Sequence, residues 1–162
     1  MAQIQHVTRL AAYGLVEREG LVLLARAGVR SDLPGTWWLP GGGVEHGEHP
    51  EQAVVRELQE ETGLAVRVAG EPAILSDLLD IRARGILMHS VRLCYPLVVE
   101  AGELRAEVDG TTDDVAWVSR ERVASLSTLP FVRRALGLPA PDPGRVVVID
   151  AGRLVDEGPD GD

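Results

Sequence analysis

Residues Gly42 to Leu64 read GGVEHGEHPEQAVVRELQEETGL, a glycine-opened turn running into a helical pattern. Within it Glu57, Glu60 and Glu61 stand at i, i+3 and i+4. Residues three and four apart on a helix lie one above the other, so this spacing puts three carboxylates on one face. Such groups repel one another unless a positive charge sits between them. A divalent cation suits the position, because Mg²⁺ and Mn²⁺ prefer carboxylate, carbonyl and water oxygens, and Mg²⁺ recruits substrate phosphates to complete its shell.

A run such as LQEE taken alone reads equally as a solvated helix face, since glutamate is a good helix former. The longer pattern decides against that. Gly42, Glu48, Arg56, Glu57, Leu58, Glu60, Glu61, Gly63 and Leu64 fill every position of G-x5-E-x7-R-E-U-x-E-E-x-G-U, with U aliphatic. At background residue frequencies the seven fixed residues coincide by chance on the order of once in 10⁸ windows or fewer. The segment resembles the signature of the Nudix hydrolases. Trp38 to Gly42 is similar to the family's lead-in, and Pro50 to Glu61 is similar to bacterial MutT-like members. One departure is His49, which stands where many relatives carry Thr. It is expected to cap the helix less well, leaving Pro50 and Glu51 to define the first turn.

The rest of the chain bounds this reading. A length of 162 residues, 45% hydrophobic and 25% charged, is ordinary for one soluble domain. No apolar run reaches the roughly 18 residues that span a bilayer, and MAQIQHVTRL lacks a basic segment leading into an apolar stretch, so no membrane partner and a cytoplasmic location are expected. A net charge of −9 opposes binding to long nucleic acid. It leaves room for small phosphorylated ligands, because a bound cation reverses the local sign. All sixteen basic residues are arginine, which excludes lysine-dependent chemistry within the chain. The single cysteine, Cys94, lies in an apolar strand-like run and reads as a small buried hydrophobe. His6 and His89 are isolated and read as structural.

Along the chain, Val7 to Glu17 and Leu21 to Ala27 read as a hairpin or adjacent strands, followed by a polar loop over Arg30 to Gly35. Trp37 to Leu39 is extended ahead of Pro40, and Gly41 to Gly43 open a backbone path closed to other residues. A helix is expected from Pro50 to Thr62 with Gly63 ending it, its core stripe formed by Ala53, Val54 and Leu58 with Val55 at the margin. Strands are expected over Leu64 to Val68, Ala73 to Ile81, Ile86 to Val99 and Asp114 to Ser119. Helical turns are expected over Arg120 to Leu126 and Pro130 to Leu136. The domain is drawn over residues 1–138. Residues 139–162 form a C-terminal extension, with an edge strand at Arg145 to Asp150 and a mobile tail over Glu157 to Asp162.

Strands interleaved with a central and a C-terminal helix indicate an α/β fold with a mixed sheet covered on both faces. The resemblance makes this a single-domain Nudix-type α/β/α sandwich. It also implies a Mg²⁺-dependent pyrophosphohydrolase, with Mn²⁺ as an alternative ion, acting on a nucleoside diphosphate linked to another group. Nucleoside triphosphates and nucleotide conjugates are favoured. Glu57, Glu60 and Glu61 look like the metal ligands, together with the Gly41 carbonyl, and Arg56 and Glu48 look like the pair that orients them. For the general base Glu60 and Glu107 are the candidates, with Asp109, Asp113 and Asp114 competing. Arg26 and Arg30 are candidates for substrate phosphates. Trp37 and Trp38 should face opposite ways, with Trp38 taken to stack on a base. The same scaffold also serves as a silent nucleotide or sugar-nucleotide sensor, although such modules usually lose acids that are all retained here. Isoprenyl diphosphate isomerase chemistry needs a reactive cysteine, which Cys94 matches poorly. A homodimer is plausible for the family, with weak support from the apolar Ile86 to Val99 segment.

Overall fold

The computed structural model describes residues 3–155, so the tail expected over Glu157 to Asp162 lies outside the described residues. Leu21–Ala27 (β2) reads LVLLARA and is buried on both faces, as a strand must be when each face has its own core. Val22 and Leu24 enter one core with Phe131 and Val132. Leu23 enters the other with Ala53, Val54 and Leu58. The same alternation divides Gln5–Arg18 (β1), where Ala11 and Tyr13 join the first core and Ala12 and Val16 the second. These two cores on opposite faces make the molecule a mixed sheet between helical layers.

The remaining strands are Trp37–Trp38 (β3), Gly41–Gly43 (β4), Leu64–Val68 (β5), Ala73–Ile81 (β6), Ile86–Gly102 (β7), Thr112–Ser119 (β8), Val146–Asp150 (β9) and Arg153–Val155 (β10). β1 and β2 are adjacent as expected, yet they pair only at their tips, Glu17 with Val22 and Arg18 with Leu21. Beyond that they diverge. β1 runs parallel to β7 and antiparallel to β4, while β2 pairs antiparallel with β3 and β8. β7 is central, paired along one edge with β1 and along the other with β6 and then β5. β9 pairs in parallel with β6 and is itself covered by β10, so the strand expected at the edge is one place in from it.

Pro50–Thr62 (α1) occupies the predicted span and ends at Gly63, whose left-handed φ of 73° suits glycine. Ala53, Val54 and Leu58 are buried, whereas Val55 is exposed and falls outside the stripe. His49 caps the helix better than its type suggests. Its Nδ1 accepts the Glu51 N–H and its own N–H donates to Gln52 Oε1, both at 3.2 Å. An imidazole nitrogen thus does the work of a hydroxyl, satisfying one of the free N–H groups at the helix start. Arg120–Val123 (α2) and Pro130–Ala135 (α3) are short, and α3 supplies Phe131 and Val132 to the opposite core.

Candidate active site

The glycine loop and α1 meet through close approaches that only glycine permits. Gly41 pairs with Tyr13 of β1 at φ 148°, where an added Cβ would lie 2.6 Å from the Tyr13 Cα. A Cβ on Gly42 would lie 2.6 Å from Glu57 Oε1. The loop therefore rests directly on two helix carboxylates. Gly41 N–H donates to Glu61 Oε2 at 2.9 Å, and the Glu61 side chain is buried.

Burial pushes the Glu61 carboxyl up to about 8, opposed by the Gly41 hydrogen bond and reinforced by the charges of Glu57, Glu107 and Glu60. Glu57 is also raised by burial, with Arg56 working against the shift. Arg56 is the local hub. Its Nε and Nη2 donate to Glu48 at 2.8 and 2.9 Å, Nη1 to Glu57 Oε1 at 3.1 Å and Glu60 Oε2 at 3.2 Å, and Nη2 to the Gly43 carbonyl at 3.3 Å. This bidentate grip holds Glu48 down to about 2.

A cavity of about 620 Å³ opens beside these groups. Glu57, Glu61 and Gly41 to Gly43 form one wall, and Trp38, Leu79, Met88 and Ile149 lie among the apolar residues of the rest. Of the predicted phosphate contacts, Arg30 lines the cavity and donates to the Asp109 carbonyl at 2.8 Å. Arg26 does not line it. Its guanidinium is bound to Asp113 at 2.7 Å and stands 5.6 Å over the Trp37 ring. Trp37 and Trp38 are both half-buried against the Phe131 core, and of the two only Trp38 lines the cavity.

Glu60 and Glu107 also lie off the cavity wall. Glu60 is half exposed and held by Arg56, while Glu107 accepts from Thr112 Oγ1 at 3.3 Å and is near enough to raise Glu61. Asp113 and Asp114 are engaged by Arg26. Sequence reasoning missed Arg9. It projects from β1 into the cavity and donates to Tyr13 Oη at 3.4 Å. Burial opposes its charge, but Tyr13, Glu57 and Glu61 outweigh that and raise its pKa. A lone arginine ahead of the apolar LAAYGLV run was the available signal.

A buried carboxylate, Glu61, and a part-buried one, Glu57, repelling each other beneath a glycine cradle fit a divalent ion, whose charge would relieve the repulsion. The three helix acids do not converge as a finished ligand set, however. No cluster of three acidic, histidine or cysteine side chains ready to hold a metal occurs among the described residues, and the Glu60 carboxylate accepts from Arg56 Nη1 at 3.2 Å. Cys94 is buried, and burial pushes its thiol up to about 12, which removes it as a nucleophile near neutral pH. No helix among the described residues is long and apolar enough to cross a membrane.

Residues 7–136 match the family model of the NUDIX domain. A nucleoside triphosphatase NudI from Enterobacter sp. (strain 638) is 36% identical over 121 residues, spanning 71% of this chain and 82% of that protein. An ADP-ribose pyrophosphatase from Methanocaldococcus jannaschii is 38% identical over 100 residues, spanning 62% of this chain and 56% of its own length. Among solved structures, a MutT NUDIX hydrolase from Burkholderia pseudomallei superposes with a TM-score of 0.66 at 26% identity, covering 80% of this chain and 96% of that one.

Proposed function

The chain belongs to the Nudix hydrolases, and from that premise we propose a Mg²⁺-dependent pyrophosphohydrolase that cleaves the diphosphate linkage of a small nucleotide or nucleotide conjugate. The observation that carries this reading is the pair of acids, buried Glu61 and part-buried Glu57, packed against the glycine loop at the wall of a cavity that also holds Arg9 and Arg30. Relatives named for nucleoside triphosphates and for ADP-ribose both support a phosphoanhydride substrate.

In this reading Glu57 and Glu61 hold the ion, with the Gly41 carbonyl and Glu60 completing the protein's share. The ion supplies charge that offsets the phosphate oxygens and makes water more acidic. Arg56 positions Glu57 through its Nη1 contact and keeps Glu60 within reach of the site. Glu61, raised to about 8, must give up its proton to act as a ligand. Arg9 and Arg30 steady the phosphate chain, as guanidinium groups do through paired donors. Water adds to one phosphorus, the bridging P–O bond breaks, and the water's proton passes to Glu60 or Glu107.

The test is release of phosphate or pyrophosphate from nucleoside triphosphates, ADP-ribose and nucleotide sugars, with Mg²⁺, with Mn²⁺ and with EDTA. Turnover should require the ion and fall about a hundredfold or more in Glu57→Gln and Glu61→Gln while both variants stay folded. Unchanged turnover in both variants would remove the metal-site reading. Tight nucleotide binding with no turnover would instead identify a sensing module.

A further inference from the structure

β6 and β7 pair so that Leu75, Asp77 and Leu79 oppose Arg92, Ser90 and Met88. Directly opposed residues share a face, so this ladder builds a floor that is polar at Asp77, Ser90 and Arg92 and apolar at Leu79 and Met88. Asp77 Oδ2 accepts from Arg92 Nη1 at 2.7 Å, and Oδ1 accepts from Arg134 Nη1 at 2.8 Å. The Arg92 guanidinium also stands 4.2 Å over the Phe131 ring and 5.8 Å from Tyr13. Its orientation is therefore fixed by a carboxylate and by aromatic faces.

Two atoms on this floor are left over. Arg92 Nε and Ser90 Oγ are buried and have no hydrogen-bond partner among the described residues. Arg92 is 2% exposed and Ser90 0%, and both residues line the cavity. A buried donor without a partner costs about 1–3 kcal/mol, so a fold keeps one where something else recovers it. Ser90 and Arg92 stand at i and i+2 of β7, so both side chains leave the same face of the strand and meet the same cavity. Trp38, Leu129 and Ile149 add apolar surface to the same cavity. Arg92 Nε–H can only donate, so it requires an acceptor on the ligand, while the Ser90 hydroxyl can accept from an adjacent ring N–H.

We propose that Ser90 and Arg92 read the edge of a nucleobase bearing a ring carbonyl beside a ring N–H, with its diphosphate lying at the Glu57 and Glu61 end of the same cavity. The proposal rests on the nucleotide reading above, and names which part of the substrate the protein discriminates. Asp77 and Arg134 act as positioning residues for Arg92.

The experiment is calorimetric titration with inosine 5′-monophosphate and with purine riboside 5′-monophosphate, which lacks the carbonyl, in Mg²⁺, on wild type and Ser90→Ala. Neither probe carries a phosphoanhydride, so binding is read without turnover. Wild type should bind the inosine compound about tenfold more tightly, and Ser90→Ala should narrow that ratio to about threefold. The Tm of Ser90→Ala should equal or exceed that of wild type, because the hydroxyl it removes has no partner. Equal affinities in wild type, an unchanged ratio in the variant, a lowered Tm or no binding of either probe would each overturn the proposal. Base discrimination without hydrolysis of any phosphoanhydride would leave it standing and defeat the hydrolase reading. Hydrolysis without base discrimination would do the reverse.

Discussion

Arg56 and Arg92 are both bound to carboxylates, but they live under different conditions. The Arg56 side chain is 27% exposed and shares its charge among Glu48, Glu57, Glu60 and the Gly43 carbonyl, all within one continuous segment. Arg92 is 2% exposed and depends on Asp77 from the neighbouring strand, which Arg134 of α3 grips from the other side. A half-wet hub tolerates the loss of one partner because water and other acids replace it. A dry pair does not, since removing one member leaves the other charged and unsolvated. The first arrangement can therefore be adjusted for chemistry, whereas the second holds shape.

Asp77→Ala puts that contrast under the heaviest load. It should destabilise the fold by about 3–5 kcal/mol in denaturant unfolding. A loss under 1 kcal/mol would mean Arg134 and the aromatic rings suffice to hold Arg92. Next comes pH. Glu61 is raised from 4.5 to about 8 in the folded protein, so the folded state binds more protons than the unfolded one between those values. Its contribution to stability is full below pH 4.5 and is lost as pH rises through about 8. In EDTA, wild-type stability should decline across that window by on the order of a few kcal/mol, and Glu61→Gln should show a flatter profile. Parallel profiles would remove burial of Glu61 as the cause.

Arg56→Lys tests the other side of the comparison. Lysine keeps the charge but cannot grip Glu48 with two nitrogens while reaching Glu57. Turnover should fall about 10–100-fold with the Tm little changed, as for other groups that orient metal ligands. If stability collapsed and turnover of the folded fraction survived, the two arginines would have exchanged roles. The smallest expected effect is at His49, where His49→Ala should cost about 1 kcal/mol of stability through loss of the cap. No change in thermal unfolding would show that Gln52 caps the helix unaided.

The contrast also explains what could be read before any coordinates. Helix α1, its Gly63 ending, the acid face and the Arg56 partnership with Glu48 all depend on residues close together in the chain, where spacing fixes geometry. Arg9, Ser90 and Arg92 come together through strand register, Arg9 lying opposite Ser90 across the parallel β1 and β7 pair, and one sequence does not state register. The same limit hid the capture of Arg26 by Asp113, which keeps it off the cavity wall. His49 differs for another reason: residue type ranks it a poor cap, while the imidazole needs only an acceptor nitrogen in the right place.

The parallel pairing of β1 with β7 also sets an order of assembly. Ala12 must find Leu93, roughly eighty residues later, before the cavity has a floor. Helix α1 can form from its own segment as soon as that segment leaves the ribosome, but β1 must wait for β7 with one edge open. Pairings of such long sequence separation form slowly, because loop closure comes before the contacts that reward it. Folding should therefore be paced by the meeting of these two strands, with the acid-bearing helix present early and the site complete only at the end.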